Sequence, residues 1–245
     1  MNATVAPHVT GFGGVAHGGY LSSLALRAMA AAVDAPGRPA RSLTMHLLAP
    51  IRPGDVELDP RVERKGGTMS GASVRLTQDG ATAGIALAQF GAARDSEHLH
   101  RDTTMPDVEE PEALAPLLDL PVPESEMQVE HRPAAGTLPL AGAEEAELVS
   151  WMRTAAHRPP DVYDAAYLAD ALAPALYAVL ASYVAMPSTE IALHFAPRPR
   201  TESEWVLARV RNRFAAEGYA LEDGELWTRE GELLLRSRQL RRVLA

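Results

Sequence analysis

Residues 18–26 read Gly-Gly-Tyr-Leu-Ser-Ser-Leu-Ala-Leu, and residues 165–173 read Ala-Ala-Tyr-Leu-Ala-Asp-Ala-Leu-Ala. The two Tyr-Leu pairs lie 147 residues apart, since 167 − 20 = 147. The same offset carries Ser42 onto Thr189 and the Ala-Pro pair at 49–50 onto the Ala-Pro pair at 196–197. A match that persists at one offset indicates that the chain contains a duplicated unit.

The offset changes once along the chain. The turn pair Asp79-Gly80 corresponds to Glu230-Gly231, which lies 151 residues later. The second copy has therefore gained four residues between its strands (151 − 147). Small insertions in surface loops are what a duplicated unit accumulates.

Each copy is predicted to contain one apolar helix followed by antiparallel strands, which makes the chain an α+β protein. The first copy has a predicted helix at 20–33, ending near Asp34-Ala35-Pro36-Gly37, and predicted strands at 42–49, 55–65, 68–77 and 81–92. The second copy has a predicted helix at 163–183 and predicted strands at 189–196, 205–214, 218–228 and 232–244. Strand-like pieces at 127–132 and 148–153 open the second unit.

The segment between the copies differs from both in composition. Residues 101–125 are acidic and proline-rich with little periodicity, although 114–120 could form a short helix. The predicted organisation is therefore an N-terminal unit over 1–100, a linker over 101–125 and a C-terminal unit over 126–245.

Composition excludes several functional classes. The chain has 32 acidic and 23 basic residues, a formal net charge of −9, and nucleic acid is therefore not an expected partner. The sequence holds no cysteine, so disulfides, thiolate metal sites and a cysteine nucleophile are excluded.

The sequence also predicts a protein without a membrane span. Residues 1–20 contain neither Lys nor Arg and no unbroken apolar stretch, unlike a secretory signal. The longest mainly apolar run, 171–186, is shorter than the ~20 residues that cross a bilayer. A cytoplasmic location is expected.

Several short motifs follow one another along the two copies: His17-Gly18-Gly19-Tyr20-Leu21, Pro50-Ile51-Arg52-Pro53-Gly54, Arg75-Leu76-Thr77-Gln78-Asp79-Gly80, Leu193-His194-Phe195, Trp205 and Ser237-Arg238-Gln239. Taken in this order, they resemble the double-hotdog acyl-CoA thioesterases of the TesB-like group. The resemblance covers most of the chain outside the linker. It implies two fused hotdog units, each a helix cradled by an antiparallel sheet, joined into one continuous sheet.

The resemblance also implies an activity and a set of site residues. The activity is hydrolysis of an acyl-CoA or acyl-carrier thioester, with no cofactor and no metal, in a protein that forms homo-oligomers. Carried over by motif, the catalytic residues are Asp170, Thr189 and Gln239. The hydroxyl position is the least defined, because a slip of one residue would place Ser188 there and turn it to the other face of the sheet.

These residue types suit thioester hydrolysis. A carboxylate can orient an attacking water and accept its proton, while a hydroxyl and an amide hold the same water. Backbone N–H groups at a helix N-terminus are expected to meet the oxyanion. Asp170 is the only charged residue between Asp164 and Glu190, and a buried carboxylate is costly unless it is hydrogen-bonded or functional.

Two other functions remain open. A hotdog dehydratase or hydratase would use His17 as a base, but the helix after His17 has no acidic residue until Asp34. A non-catalytic protein that binds acyl thioesters would use Asp170 only structurally, as the cap of a helix beginning after it.

The first copy lacks an equivalent set of residues. The offset places Ser23 opposite Asp170 and Ser42 opposite Thr189. Gln89 lies near the position equivalent to Gln239, but at an offset of 150 instead of 151 (239 − 89), so its side chain is expected on the other face of the sheet. The site is therefore expected in the second copy alone.

Overall fold

The computed structural model describes residues 1–95, 97, 100, 102–117, 129–136, 138–197 and 199–244. In this part of the chain there are two α-helices, α1 (Gly18–Val33) and α2 (Val162–Leu168), and eleven strands. The strands are β1 (Asn2–Val5), β2 (Ala40–Leu47), β3 (Gly54–Lys65), β4 (Met69–Gln78), β5 (Ala81–Gly91), β6 (Val129–Gly136), β7 (Glu147–Thr154), β8 (Ser188–Phe195), β9 (Val206–Ala216), β10 (Tyr219–Thr228) and β11 (Leu233–Arg242). The predicted α+β class is confirmed.

All eleven strands form one antiparallel sheet in the order β1-β3-β4-β5-β2-β8-β11-β10-β9-β7-β6. The order β3-β4-β5-β2 in one half mirrors β9-β10-β11-β8 in the other, and the halves meet where β2 pairs with β8. In that pairing Leu43 lies opposite Leu193, and His46 lies opposite Glu190. The offset of 147 converts the first pair into the second (43 + 147 = 190; 193 − 147 = 46). The junction therefore has the twofold register that a duplicated unit requires.

Both helices pack on the same side of this sheet. A single apolar core contains Leu26 and Met29 of α1, Ala166 and Leu168 of α2, and inward side chains of both halves of the sheet. The helices approach closely at Gly19, where a Cβ would lie only 2.2 Å from the carbonyl oxygen of Tyr167. Only glycine fits this contact without displacing the backbone.

The prediction of one helix over 163–183 is wrong. Helix α2 ends at Leu168, and after a turn the chain forms a separate 3-10 helix over Ala175–Ala178. Pro174 explains the break, because proline has no N–H to donate to the carbonyl of Asp170 and its ring would clash there. The predicted strands of both copies are otherwise present, with ends that differ by a few residues.

The segment between the copies lies along the second half of the sheet where it is described. Met105, Val108 and Leu114 pack against a cluster that contains Trp151 and Trp205. The predicted helix at 114–120 is absent over 114–117, which follow a 3-10 turn at Pro111–Ala113, while 118–120 lie outside the described residues. The predicted strand at 127–132 is present from Val129, and 127–128 also lie outside. The division at residues 100 and 126 stays a prediction.

None of the helices among the described residues combines the length and the hydrophobicity needed to cross a membrane.

Candidate active site

The end of α2 is the starting point of the site. Helix α2 begins with a capping box, in which the Asp161 side chain accepts from the backbone N–H of Asp164 and the Asp164 side chain accepts from that of Asp161. Because the helix stops near Ala169, the carbonyls of Ala169 and Asp170 lack the helical donors they would otherwise have.

Two side chains from elsewhere satisfy these carbonyls. Gln239 on β11 donates its Nε2 to the carbonyl of Ala169 at 3.0 Å. His17, the residue before α1, donates its Nε2 to the carbonyl of Asp170 at 2.7 Å. The break at Pro174 therefore brings a histidine of the first half and a glutamine of the second half to one helix end.

The side chain of Asp170 is buried where the two halves meet, with 5% of it exposed. Its Oδ2 accepts from the backbone N–H of Gly19 at 3.1 Å, in the first turn of α1. Its Oδ1 accepts from Nη2 of Arg241 at 3.0 Å. A carboxylate at this position complements the unpaired N–H groups and the dipole of the 16-residue α1.

The structure brings Ser188, and not Thr189, to this carboxylate. Ser188 Oγ lies 3.1 Å from Gln239 Oε1 and 3.4 Å from Asp170 Oδ1. Thr189 Oγ1 instead donates to the carbonyl of Leu240 at 3.0 Å. The reason is an irregularity in the β8–β11 pairing, where Leu240 lies opposite Glu190 but Arg241 lies opposite Ser188. Thr189 is the extra residue of this bulge, and the bulge reverses the side-chain alternation that counting along the strand predicts.

Two charged residues of the site were missed by the sequence analysis. Arg241 donates from Nε to Glu222 on β10 and from Nη1 to Ser188 Oγ at 2.8 Å. Glu222 is 2% exposed and also accepts from the backbone N–H of Ala175 at 2.5 Å. The alternation of β10 contains a signal for Glu222, because it shares a face with the buried Ala220 and Leu226.

Arg241 remains charged in this environment. Burial opposes its positive charge, but Glu222 and Asp170 outweigh burial and raise the pKa of Arg241. Its three hydrogen bonds fix the guanidinium between the two carboxylates.

His17 is held in its neutral form. Burial lowers the pKa of His17 and outweighs the opposing attraction of Asp170. Its Nε2 also lies 3.3 Å from Asp170 Oδ2. Since Nε2 donates to a carbonyl, the neutral ring carries its lone pair on Nδ1, which is buried and has no partner among the described residues. A His–carboxylate pair is thus present, although the acid comes from the second half.

Two further titratable side chains lie near this pair. The ring of Tyr167 packs edge-on against that of His17 at 5.7 Å, and burial raises the pKa of Tyr167 to about 12. Burial lowers the pKa of His131 on β6 to about 4. Both residues therefore stay neutral at pH 7.

The first-half counterparts form no such cluster. Ser23 is buried within the unbroken α1, and Gln89 is exposed, on the opposite face of its strand from the buried Ala88 and Phe90. Among the described residues no three His, Asp or Glu side chains are placed to hold a metal ion.

An open groove of about 780 Å³ lies at the other end of β8. It is lined by Pro39–Arg41 at the start of β2, Pro160–Val162 at the start of α2, and Phe195 and Leu234. The offset of 147 relates Pro39–Arg41 to residues 186–188, so the groove occupies the first-half position equivalent to the surroundings of Ser188. Asp170, Ser188 and Gln239 do not line it.

Comparisons with known proteins agree with this architecture. A family model described as the acyl-CoA thioesterase N-terminal domain matches residues 6–91, and one described as the acyl-CoA thioesterase C-terminal domain matches residues 100–243. A search of curated proteins finds no match.

Solved structures show the same fold over 93–100% of the chain. A hot dog fold protein of unknown function from Alicyclobacillus acidocaldarius is 25% identical, with a TM-score of 0.89 and coverage of 100% of this chain and 92% of that one. The tesB protein of Mycobacterium avium subs paratuberculosis is 22% identical, with a TM-score of 0.80 and coverage of 100% and 92%. Acyl-CoA thioesterase II TesB2 from Mycobacterium marinum is 22% identical, with a TM-score of 0.75 and coverage of 93% and 88%. The double-hotdog prediction is confirmed.

The lowered pKa of His131 predicts a loss of stability in acid. Below pH 6.5, the ordinary pKa of histidine, His131 is protonated in the unfolded chain, whereas in the folded protein it stays neutral down to about pH 4. The contribution of neutral His131 to the free energy of unfolding is therefore complete above pH 6.5 and is lost as the pH falls toward 4.

Denaturant unfolding at pH 7 and pH 5 tests this prediction. Between the two pH values, the free energy of unfolding should fall by about 1–2 kcal/mol less in His131→Gln than in the wild type. His8→Gln, at an exposed position, is the control and should retain the wild-type loss. Equal losses in wild type and His131→Gln would contradict the prediction.

Proposed function

This chain belongs to the acyl-CoA thioesterase family, and from that premise we propose that it hydrolyses a fatty or related acyl-CoA at the cluster around Asp170. Membership makes it a thioester hydrolase. The observation that supports the location is the convergence of Asp170, Ser188 and Gln239 from a helix end and two adjacent strands.

In the proposed reaction a water attacks the thioester carbonyl carbon. Asp170 orients this water and accepts its proton, and Ser188 and Gln239 hold the water through a hydroxyl and an amide. The C–O bond forms, the C–S bond breaks, and the proton passes to the leaving sulfur, which yields a free acid and a thiol. Orientation of this kind can supply up to ~7–11 kcal/mol of barrier lowering.

The N-terminus of α1 is placed to stabilise the oxyanion. Its first-turn N–H groups have no helical acceptors, and the N–H of Gly19 already points to the Asp170 carboxylate. Negative charge that develops on the carbonyl oxygen near this turn would be stabilised by the other first-turn N–H groups and by the helix dipole.

The contact between His17 and Asp170 favours a second candidate, a dehydratase or hydratase. His17 offers a neutral ring with an unpartnered Nδ1 beside a carboxylate, which is a set suited to proton abstraction next to a thioester carbonyl. An enoyl-CoA hydration assay distinguishes this chemistry from thiol release. A non-catalytic role would give binding of acyl-CoA with neither product.

Removal of the proposed base tests the function directly. We expect Asp170→Asn to lower kcat for thiol release from a panel of acyl-CoAs by about two orders of magnitude, the scale of a lost general base. Ser23→Ala, at the equivalent first-half position, should leave turnover near the wild-type rate. If Asp170→Asn retained full activity while a change at Ser23 or His17 abolished it, the site would lie in the first half.

The bulge in β8 generates a separate prediction. Ser188→Ala removes a hydroxyl that faces Asp170 and Gln239, and should lower kcat by about tenfold or more, since one hydrogen bond to a charged group contributes about 1.5–3 kcal/mol. Thr189→Val keeps the branched shape and loses only the bond to Leu240, so its kcat should stay close to that of the wild type. The reverse ranking in the thiol-release assay would restore Thr189 as the positioning hydroxyl.

Self-association is also part of the proposal. Leu87, on the sheet face away from the helices, is 49% exposed, and β1 and β6 are the outermost strands of the described sheet. We expect sedimentation in micromolar solution to give a mass above the 26.3 kDa of one chain, whereas a monomer would contradict this. The expected cytoplasmic location, and an acyl-carrier thioester as an alternative substrate, likewise stay proposals.

A further inference from the structure

Arg241 joins two buried carboxylates that lie on different elements. Its side chain is 7% exposed, and those of Glu222 and Asp170 are 3% and 5% exposed. Nε faces Glu222 on one side, and Nη2 donates to Asp170 on the other side at 3.0 Å. Each end of the guanidinium is therefore held by an acidic group, and Arg241 has no freedom to turn away from Asp170.

Glu222 is itself anchored. Its Oε1 accepts from the backbone N–H of Ala175 at 2.5 Å, and its Oε2 accepts from Arg241. Glu222 and Gln239 are opposite residues in the β10–β11 pairing, and Gln239 is opposite Ile191 on β8. Glu222 thus stands on the strand next to the one that carries Gln239 and Arg241.

The charges around Asp170 are few. His17, before α1, is neutral, because burial lowers its pKa. His131 on β6 is neutral at pH 7 for the same reason, and Tyr167 on α2 is neutral because burial raises its pKa. Ser188 on β8 carries no charge. Arg241 on β11 is therefore the one cation in contact with Asp170 among the described residues, and Glu222 on β10 is the one other anion in contact with that cation.

An arginine alone beside a catalytic carboxylate has two effects. It fixes the orientation of the carboxylate, and it stabilises the charged form, which makes the carboxylate a weaker base. A second carboxylate behind the arginine cancels much of its charge and leaves the orientation intact. Glu222 stands in this position.

We propose that Glu222 is a positioning residue for hydrolysis, which acts on Asp170 through Arg241 by holding the guanidinium in place and offsetting its charge. This inference rests on the proposed function of Asp170 as the base. The two members of the ion pair should therefore behave differently in experiments. Loss of Glu222 and loss of Arg241 should change the proton affinity of Asp170 in opposite directions.

The first test is a carboxyl ¹³C NMR titration of Asp170 in the full chain, with the resonance assigned by its absence in Asp170→Asn. In Glu222→Gln the uncancelled guanidinium should move the titration midpoint to lower pH, and in Arg241→Met the midpoint should move to higher pH. Arg241→Lys keeps the charge and should stay nearer the wild-type midpoint. This readout requires no turnover, so it decides the inference even if thiol release is absent.

The second test is the pH dependence of kcat for thiol release. Its acid limb should follow the NMR midpoints in both directions, and kcat at pH 7 should fall about tenfold in Arg241→Met. Arg241→Lys keeps the positive charge and should therefore show the wild-type acid limb. Its kcat should stay reduced, because a single ammonium cannot replace the three hydrogen bonds of the guanidinium to Glu222, Ser188 and Asp170.

Glu225→Gln is the matched control. Glu225 lies on the same strand as Glu222 and pairs with Arg209 at 2.5 Å, but on the opposite face of the sheet. It should alter neither the titration nor the acid limb. Equal shifts in Glu222→Gln and Glu225→Gln, or shifts of the same sign in Glu222→Gln and Arg241→Met, would overturn the inference and leave the ion pair with a purely structural role. A wild type without thiol release, but with opposite NMR shifts, would instead overturn the proposed reaction alone.

Discussion

The carboxylate of Asp170 at the N-terminus of α1 is the interaction on which the rest of the site depends. It joins the first helix of one half to the last turn of the second helix and to β11. A carboxylate at a partly buried helix N-terminus stabilises by up to ~2 kcal/mol, whereas a buried ion left without its partner costs about 3–5 kcal/mol. The same contact therefore holds the two halves together and fixes the proposed base, so activity and stability need separate measurement in any variant here.

Pro174 makes this contact possible. It ends α2 early, and the two carbonyls that lose their helical donors bind side chains from opposite halves, His17 and Gln239. Neither side chain could reach a carbonyl already satisfied within a continuous helix. The break in the helix is thus what assembles the site, with Ser188 added by a bulge in the adjacent strand.

Duplication and strand positions could be predicted from the sequence, because they follow from a repeat at constant offset. Asp170 and Gln239 were proposed from the resemblance to the TesB-like group, and both lie at the break after α2. The length of α2 could not, since apolar periodicity continues across Pro174 while the backbone does not. The sequence analysis placed Thr189 and not Ser188 beside Asp170, because side-chain alternation does not reveal the bulge that brings Ser188 there. Arg241 and Glu222 were missed because their partnership joins strands, and neither residue has a partner nearby in sequence.

The same physics explains why the first half has no equivalent cluster. Helix α1 runs unbroken for 16 residues through Ser22 and Ser23, so the carbonyls at this point are satisfied within the helix. A glutamine on β5 would find no free carbonyl to cap, and Gln89 faces away from the helices. Without a helix break at Ser23 there is no exposed carbonyl pair for side chains to bind, and the equivalent region is an open groove instead. Asymmetry between the two copies therefore arises first in the backbone of the helix, and the difference in side chains follows from it.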